Sequence, residues 1–225
     1  MNTVKTIAAG SVVSLALAGS VIGLGGWGSA DSSESLTAAT ESGTIANTNA
    51  ATTTYKVDGS HSSVNFRIIH GQVAPFYGRF NDFSGSIDLN KDELAGSSME
   101  FKVLLRSIDT DNSKRDTHLR DADFFNARQF TAATFKSKSV KENSDGSLSV
   151  AGDLDLHGVT KEVTATVTEL KQVDSQQGNK LGFEAKFSIK RSDFDMTKYL
   201  AADGGEDGPL SNTVQITVAV EAVAE

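Results

Sequence analysis

The chain has 225 residues, a formal net charge of −8 at pH 7 and no cysteine. Its excess of acidic side chains counts against a nucleic-acid partner, because binding to phosphates needs a basic surface. The lack of cysteine excludes disulfides, iron–sulfur clusters, thiolate zinc sites and cysteine nucleophiles within this sequence.

The first 30 residues are organised like a secretory signal peptide. Lys5 is their only charged side chain, and a weakly hydrophobic stretch follows it over residues 7–24. Small residues precede two candidate cleavage sites, after Ala18 and after Ala30. We predict cleavage after Ala30, since that site follows the whole apolar stretch, and therefore expect a periplasmic or secreted protein. An uncleaved anchor is the alternative, because the 18 residues of the stretch approach the span of a bilayer.

Residues 31–54 form a segment of low complexity. Sixteen of its 24 residues are Ser, Thr or Ala, and its three charges are all acidic. Such a composition cannot bury enough apolar surface to offset the entropy lost on ordering. We predict a disordered linker over 31–54 and one globular domain over 55–225.

Apolar and polar residues alternate along most of the chain from Tyr55 onward. A period of two predicts antiparallel strands with one face toward a core and one toward water. Turn-forming residues, such as those from Asn143 to Gly146, separate the strands. The alternating segments begin at Val64, Phe83, Met99, Val150, Val163, Phe183 and Val214.

Seven or eight strands in sequence must protect their edges, and closure into a barrel does so completely. We therefore predict an all-β fold, a single antiparallel barrel of about eight strands. A two-sheet sandwich is the competing architecture. The predicted strands run about 8–12 residues, longer than the usual ~5–6, and this length favours the barrel.

One stretch breaks the alternation. Ser113 and Asp116 fit a capping box, with Ser113 as the N-cap, and residues 114–121 are predicted to form two helical turns. In a barrel we expect this helix to lie near one end.

The sequence contains no recognisable catalytic pattern, so we predict no enzyme and no catalytic residue. A G-x-S-x-G motif is absent, and the frequent carboxylate pairs are typical of solvated surfaces in an acidic protein. No metal site is predicted either. The four histidines lie 9, 48 and 39 residues apart, without the short spacing of ligand pairs, at His61, His70, His118 and His157.

The 12 phenylalanines leave two interpretations of the barrel interior. An eight-stranded barrel encloses just enough space for its own side chains or for one small ligand. The phenylalanines either fill that space as a solid core or line a cavity.

An ordered set of motifs resembles the YceI-like family and extends from Tyr55 to about Val223. Two positions depart from the family pattern: Phe130-Thr131 replaces Tyr-Pro, and Asp195 replaces a glycine. The matching motifs are Tyr55-x-Val57-Asp58, His61-Ser62, Val64-x-Phe66, His70, Gly78-Arg79-Phe80, Phe83-Ser84-Gly85, Ser107 to Asn112, Arg115-Asp116-x-His118-Leu119, Phe124-Phe125, Gly152 to Thr160, and Arg191-Ser192-Asp193-Phe194-x-Met196.

The resemblance implies a lipocalin-like barrel that holds a long polyisoprenoid chain in its interior. It implies a non-enzymatic carrier of an isoprenoid quinone or prenyl phosphate, linked to stress, with the bound lipid in place of any cofactor. An isoprenoid-modifying enzyme and an interaction module with a solid core are the alternatives. We expect transient membrane contact during lipid exchange, and a monomer or homodimer.

Candidate ligand contacts follow from this interpretation. Arg115 and His118 lie one helical turn apart, so we expect them to share a helix face and to meet the lipid head group. The candidate contacts for the lipid chain are Phe66, Ile68, Phe80, Phe101, Val103, Phe125, Phe135, Phe183 and Phe187.

The mature protein should begin near Asp31 and be soluble, because the apolar stretch before it is weak and interrupted by glycines. Amino-terminal sequencing of the exported protein measures this directly. A chain that still begins at Met1 or Asn2 and stays in the membrane fraction would contradict the prediction.

Overall fold

The computed structural model describes residues 52–176 and 178–225, so the predicted signal peptide and nearly all of the predicted linker lie outside the described residues. The described part contains eleven strands and one α-helix. Their bounds are β1 Thr52–Val57, β2 Ser63–His70, β3 Ala74–Phe80, β4 Phe83–Asn90, β5 Ser98–Leu104, β6 Ile108–Asp109, α1 Ser113–Arg120, β7 Ala132–Glu142, β8 Leu148–Leu156, β9 Val159–Ser175, β10 Gly178–Lys190 and β11 Leu210–Ala224.

Eight of these strands close into an antiparallel barrel in the order β1-β4-β5-β7-β8-β9-β10-β11. The ring closes where β11 returns to β1, with Tyr55 opposite Ala224 and Val57 opposite Ala222. Closure leaves no free edge around this ring. The predicted barrel of about eight strands is confirmed.

The three remaining strands extend members of the ring beyond a break. β2 continues the line of β1 and also pairs with β11, β3 pairs with β2, and β6 pairs with β3 at Arg79 and Asp109. The breaks in neighbouring strands coincide, because Leu104 N donates to Asp82 O (2.9 Å) and Asn81 N donates to Ser107 O (3.1 Å). The sheet therefore bends along one line, and the hairpin of β2 and β3 stands beside one end of the barrel.

The domain begins slightly earlier than predicted. β1 starts at Thr52, so residues 52–54, assigned to the linker from composition, are part of the sheet. Thr52 and Thr54 pair with Asn90 and Asp88 of β4, and Thr54 Oγ1 donates to Asp88 Oδ1 at 2.7 Å. Threonine suits a strand well, and the neighbouring strand determines the outcome here.

A solid apolar core fills one end of the barrel, which we call the closed end. Tyr55, Val150 and Leu181 are at most 1% exposed there. The hairpin of β9 and β10 helps to cover this end, since Leu170 packs against the core and Gln172 Nε2 donates to the Tyr55 hydroxyl at 2.8 Å.

The short helix lies beside the opposite end, close to where it was predicted, but its N-cap differs. Asn112, with an extended backbone, accepts a hydrogen bond on its side chain from Arg115 N at 3.0 Å. Ser113 is the first helical residue, and Asp116 accepts hydrogen bonds from Thr110 instead of closing a capping box. The predicted capping box is therefore wrong by one residue. No helix in the described ranges has the length and apolar character needed to span a membrane.

The turn from β8 to β9 generates a stability prediction. Gly158 has φ +78°, and a Cβ at this position would lie 2.5 Å from Phe130 Cε1. Gly146 has a similar φ of +82° with no atom within 4 Å of a Cβ.

Gly146→Ala should cost about 1–2 kcal/mol from backbone strain. Gly158→Ala should cost a further ~1–3 kcal/mol from the clash with the ring. Chemical denaturation of both variants measures the difference, and equal losses would refute the steric argument.

Candidate functional site

A cavity of about 270 Å³ occupies the interior above the solid core. Met99, Val167 and Phe183 belong both to that core and to the cavity wall, so they form its floor. The opposite end, which we call the mouth, is lined by His70, Thr110, Arg115, Phe124 and Leu210. A second apolar cluster, which includes Leu105, Leu154 and Met196, also contributes to the cavity wall. The interior thus contains both packed side chains and a cavity, and each sequence interpretation describes one part of it.

Every residue predicted to contact the lipid chain lines this cavity. Strands β2, β5 and β10 contribute two of these residues each, and β3 and β7 contribute one each. The segment after α1 contributes the ninth. Alternation along the strands is sufficient to direct these side chains inward. Binding of lipid by them stays a prediction. The residues are Phe66, Ile68, Phe80, Phe101, Val103, Phe125, Phe135, Phe183 and Phe187.

Three of these phenylalanine rings lie over glycines of the neighbouring strand. A Cβ at Gly78 would lie 2.3 Å from the Phe66 ring, and one at Gly85 would lie 2.7 Å from the Phe101 ring. Gly152 provides the same space beneath Phe135. The rings therefore lie against the wall. Sequence analysis identified the phenylalanines but not this pairing, which depends on strand register.

Arg115 is a cation at the mouth whose position is fixed by its neighbours. Its Nε donates to Thr110 Oγ1 at 2.8 Å and its Nη2 to Thr110 O at 2.6 Å. The guanidinium carbon lies 4.5 Å from the centroid of the Phe76 ring. Buried Asp116 in turn accepts from the Thr110 amide and hydroxyl. Within the described part of the chain Nη1 donates no hydrogen bond, so it is available to an acceptor at the mouth.

The chain is similar to proteins of a known family. A family model for the YceI-like domain matches residues 55–222. Protein YceI of Salmonella newport (strain SL254) is 39% identical over 174 residues, which cover 76% of this chain and 87% of the relative. The chain belongs to the YceI-like family.

Solved structures share the fold of this YceI-like chain. Burkholderia cenocepacia BcnA superposes with a TM-score of 0.64 at 22% identity, covering 74% of this chain and 99% of its own. A polyisoprenoid binding domain from Saccharophagus degradans superposes with a TM-score of 0.55 at 20% identity, covering 76% and 98% respectively. At these identities the likeness concerns the fold alone.

The structure separates the two predicted head-group residues of this YceI-like barrel. Arg115 lines the cavity and His118 does not. The His118 ring is half exposed, with Nε2 at 3.5 Å from Asp123 Oδ2, and it makes a T-shaped contact with the Phe124 ring. Hydrogen bonds from Lys198 and then His118 lower the pKa of Asp123. Residues three apart are neighbours on a helix surface, yet only Arg115 reaches the cavity, because the imidazole of His118 is directed toward Asp123. Contact of either residue with a head group stays a prediction.

Arg191 is a buried cation whose role the sequence did not reveal. It lines the cavity while only 5% exposed. Its guanidinium donates to the carbonyls of Ser211 (3.0 Å), Lys198 (2.8 Å) and Leu210 (3.1 Å). Burial lowers its pKa. Arg191 therefore holds the segment between β10 and β11 at the mouth. In the sequence, the one signal for Arg191 is its position in the family motif that it begins.

The departure from the family pattern at Asp195 is accommodated locally. Asp195 has φ 58° at the end of the 3₁₀ turn Arg191–Phe194, a left-handed conformation that glycine adopts freely and aspartate tolerates. Its amide donates to Ser192 O at 3.3 Å. The turn thus forms without glycine.

The four histidines lie in separate places, as their spacing indicates. His61 does approach two carboxylates, and ligand atoms of Asp58, His61 and Glu221 lie within 4.8 Å of one another. These groups already have partners, because His61 Nδ1 lies 2.7 Å from Asp58 Oδ2 and Lys180 Nζ lies 2.6 Å from Glu221 Oε1. The hydrogen bond between His61 and Asp58 raises the pKa of His61 and lowers that of Asp58. The absence of a metal site stays a prediction.

Proposed function

We propose that this protein is a non-enzymatic carrier of a long-chain polyisoprenoid lipid held in the barrel cavity. The observation that carries the proposal is an apolar cavity closed at one end, with a partly unpaired guanidinium at the other. Family membership supports it, as does the fold shared with a domain named for polyisoprenoid binding.

The wall is suited to a hydrocarbon tail. Apolar surface removed from water contributes ~25 cal/mol per Å² without directional contacts. Phe66, Phe101, Phe135, Phe183 and Phe187 provide aromatic surface along the cavity, and the floor limits how far a tail extends. A cavity of this kind distinguishes ligands by length and shape more than by chemical groups.

The mouth is suited to a polar head group. Quinone carbonyls and phosphates both accept hydrogen bonds, and Arg115 has donors available to either. Among the described residues the cavity wall carries no carboxylate or serine, and His70 is its one acid–base side chain, without a carboxylate beside it on the wall to orient it; this composition supports a binding role. The bound lipid takes the place of a cofactor, and the amino-terminal pattern supports export.

Filling the cavity should abolish lipid binding without unfolding the protein. Val103 lines the cavity, so Val103→Trp should remove the discrete lipid mass that native mass spectrometry detects on the purified parent. The apo variant should lose less than ~1 kcal/mol of unfolding free energy. Val150 is fully buried in the solid core, so the matched Val150→Trp should lose ~1–3 kcal/mol. A lipid-free parent, together with equal destabilisation of both variants, would refute the proposal.

Removing the cation at the mouth should weaken binding of lipids that carry a head group. Arg115→Ala should bind a prenyl phosphate about tenfold or more weakly, since a hydrogen bond to a charged group is worth about 1.5–3 kcal/mol. Binding of a bare isoprenoid hydrocarbon should not change. His118→Ala is the matched control on the same helix and should bind both like the parent. Calorimetric titration measures the affinities, and a loss common to both ligands would place the head group elsewhere.

A further inference from the structure

We propose that the tip of the β2–β3 hairpin docks on the surface of a lipid bilayer, and that it prefers zwitterionic to anionic lipid. This inference rests on the proposed function, because it identifies where the cavity would exchange its ligand. It concerns residues 71–77, which we call the tip.

The tip is apolar on its outer face. Val73 is 88% exposed and Tyr77 is 62% exposed, and Pro75 lies exposed between them. An antiparallel strand packed on a core normally presents polar residues outward, and no charged residue occurs from position 71 to 77. Four large hydrophobic side chains are exposed in the described part of the chain, and two of them lie here.

The inner face of the same hairpin belongs to the mouth. Phe76 alternates with the exposed residues, lines the cavity and packs against Arg115. His70, at the base of the tip, also lines the cavity. One side of the tip thus touches the space proposed for the lipid while the other side is exposed apolar surface. A ligand that leaves a bilayer beside this hairpin reaches the cavity with little contact with water.

The strand edge at the tip is unsuited to pairing with a second protein strand. β6 pairs with β3 only at Arg79 and Phe80, so none of the described strands lies beside the edge from Ala74 to Gly78. Pro75 lacks an amide hydrogen. Ile69, which pairs with Pro75, donates its amide to Ser211 Oγ on the other side of β2. The backbone nitrogen of Pro75 therefore points away from β2, toward the open edge of β3. Proline on an exposed edge blocks strand addition, which favours a bilayer over a second copy of this chain.

The carboxylates beside the end of the tip favour a zwitterionic bilayer, while the cations of the same hairpin lie at its base, with Arg67 opposite Tyr77 and Arg79 paired with Asp109. Gly71 N donates to Pro209 O at 2.8 Å, and the Gln72 side chain donates to Asp207 O, so the acidic segment 203–207 lies against the tip. Asp203, Glu206 and Asp207 are exposed there. The whole chain carries −8. Anionic lipid would repel this region within a Debye length of about 8 Å, whereas a zwitterionic surface permits contact through apolar side chains.

Vesicle flotation with the mature, exported protein tests the proposal. Val73→Glu should reduce binding to phosphatidylcholine vesicles about tenfold, because the variant loses an apolar contact and gains a charge. Val173→Glu is the matched control, since Val173 is 57% exposed but lies on the β9–β10 hairpin at the closed end. It should bind like the parent, and phosphatidylglycerol in the vesicles should weaken binding of the parent.

Several results would overturn the inference. Equal binding by Val73→Glu and the parent would exclude the tip as the contact, and tighter binding to phosphatidylglycerol vesicles would overturn the stated lipid preference. Sedimentation that showed the parent as a dimer and Val73→Glu as a monomer would assign the surface to a second copy. Binding of a short-chain, water-soluble quinone should be the same in all three proteins. Its absence in the parent would refute the carrier proposal, whatever the vesicles show.

Discussion

Closure of the barrel depends on the last strand, which pairs with two strands along one of its edges. β11 pairs with β10 along one edge, and along the other edge with β2 and then, near its end, with β1. The contact with β1 spans three residue pairs, from Tyr55 to Val57. Without it the sheet would have two free edges and the core beneath Tyr55 would be open to water. The cavity exists because the first and last strands of the domain meet.

Side-chain size divides the closed space into a solid part and a hollow part. Aliphatic residues and Tyr55 meet at the closed end and leave no room between them. Toward the mouth, large rings lie over glycines of the adjacent strand, as Phe66 does over Gly78. Rings held in this way contribute apolar surface and leave the centre open. The phenylalanine content therefore produces a cavity because of where the glycines fall.

The strands and their inward faces could be predicted from the sequence because a period of two is a local property. The inward direction of Phe101 and Val103 follows from alternation and requires no knowledge of neighbouring strands. The breaks at Asn81 and Leu105 change the phase of the alternation, but a change of phase also occurs at ordinary turns, so only the hydrogen bonds between strands reveal the bend. The start of β1 at Thr52 likewise depends on pairing with β4.

The site itself was predictable in its apolar part and less so in its polar part. Apolar side chains need only face inward, whereas the direction of a polar side chain depends on which partner reaches it first. His118 turns toward Asp123, five residues along the chain, and Arg191 donates to carbonyls 5 to 20 residues away. Neither partnership leaves a pattern at fixed spacing, so the sequence reveals the residue types and not their roles.

The hairpin that covers the closed end has a kinetic consequence for any tail held in this barrel. Because Leu170 and Gln172 close one end, entry and exit use the same opening. A tail that leaves must draw every buried isoprene unit past the mouth, and each unit returns apolar surface to water. The dissociation rate then falls with each added unit while the association rate changes little. Residence time, more than the rate of capture, would decide which chain lengths such a barrel retains.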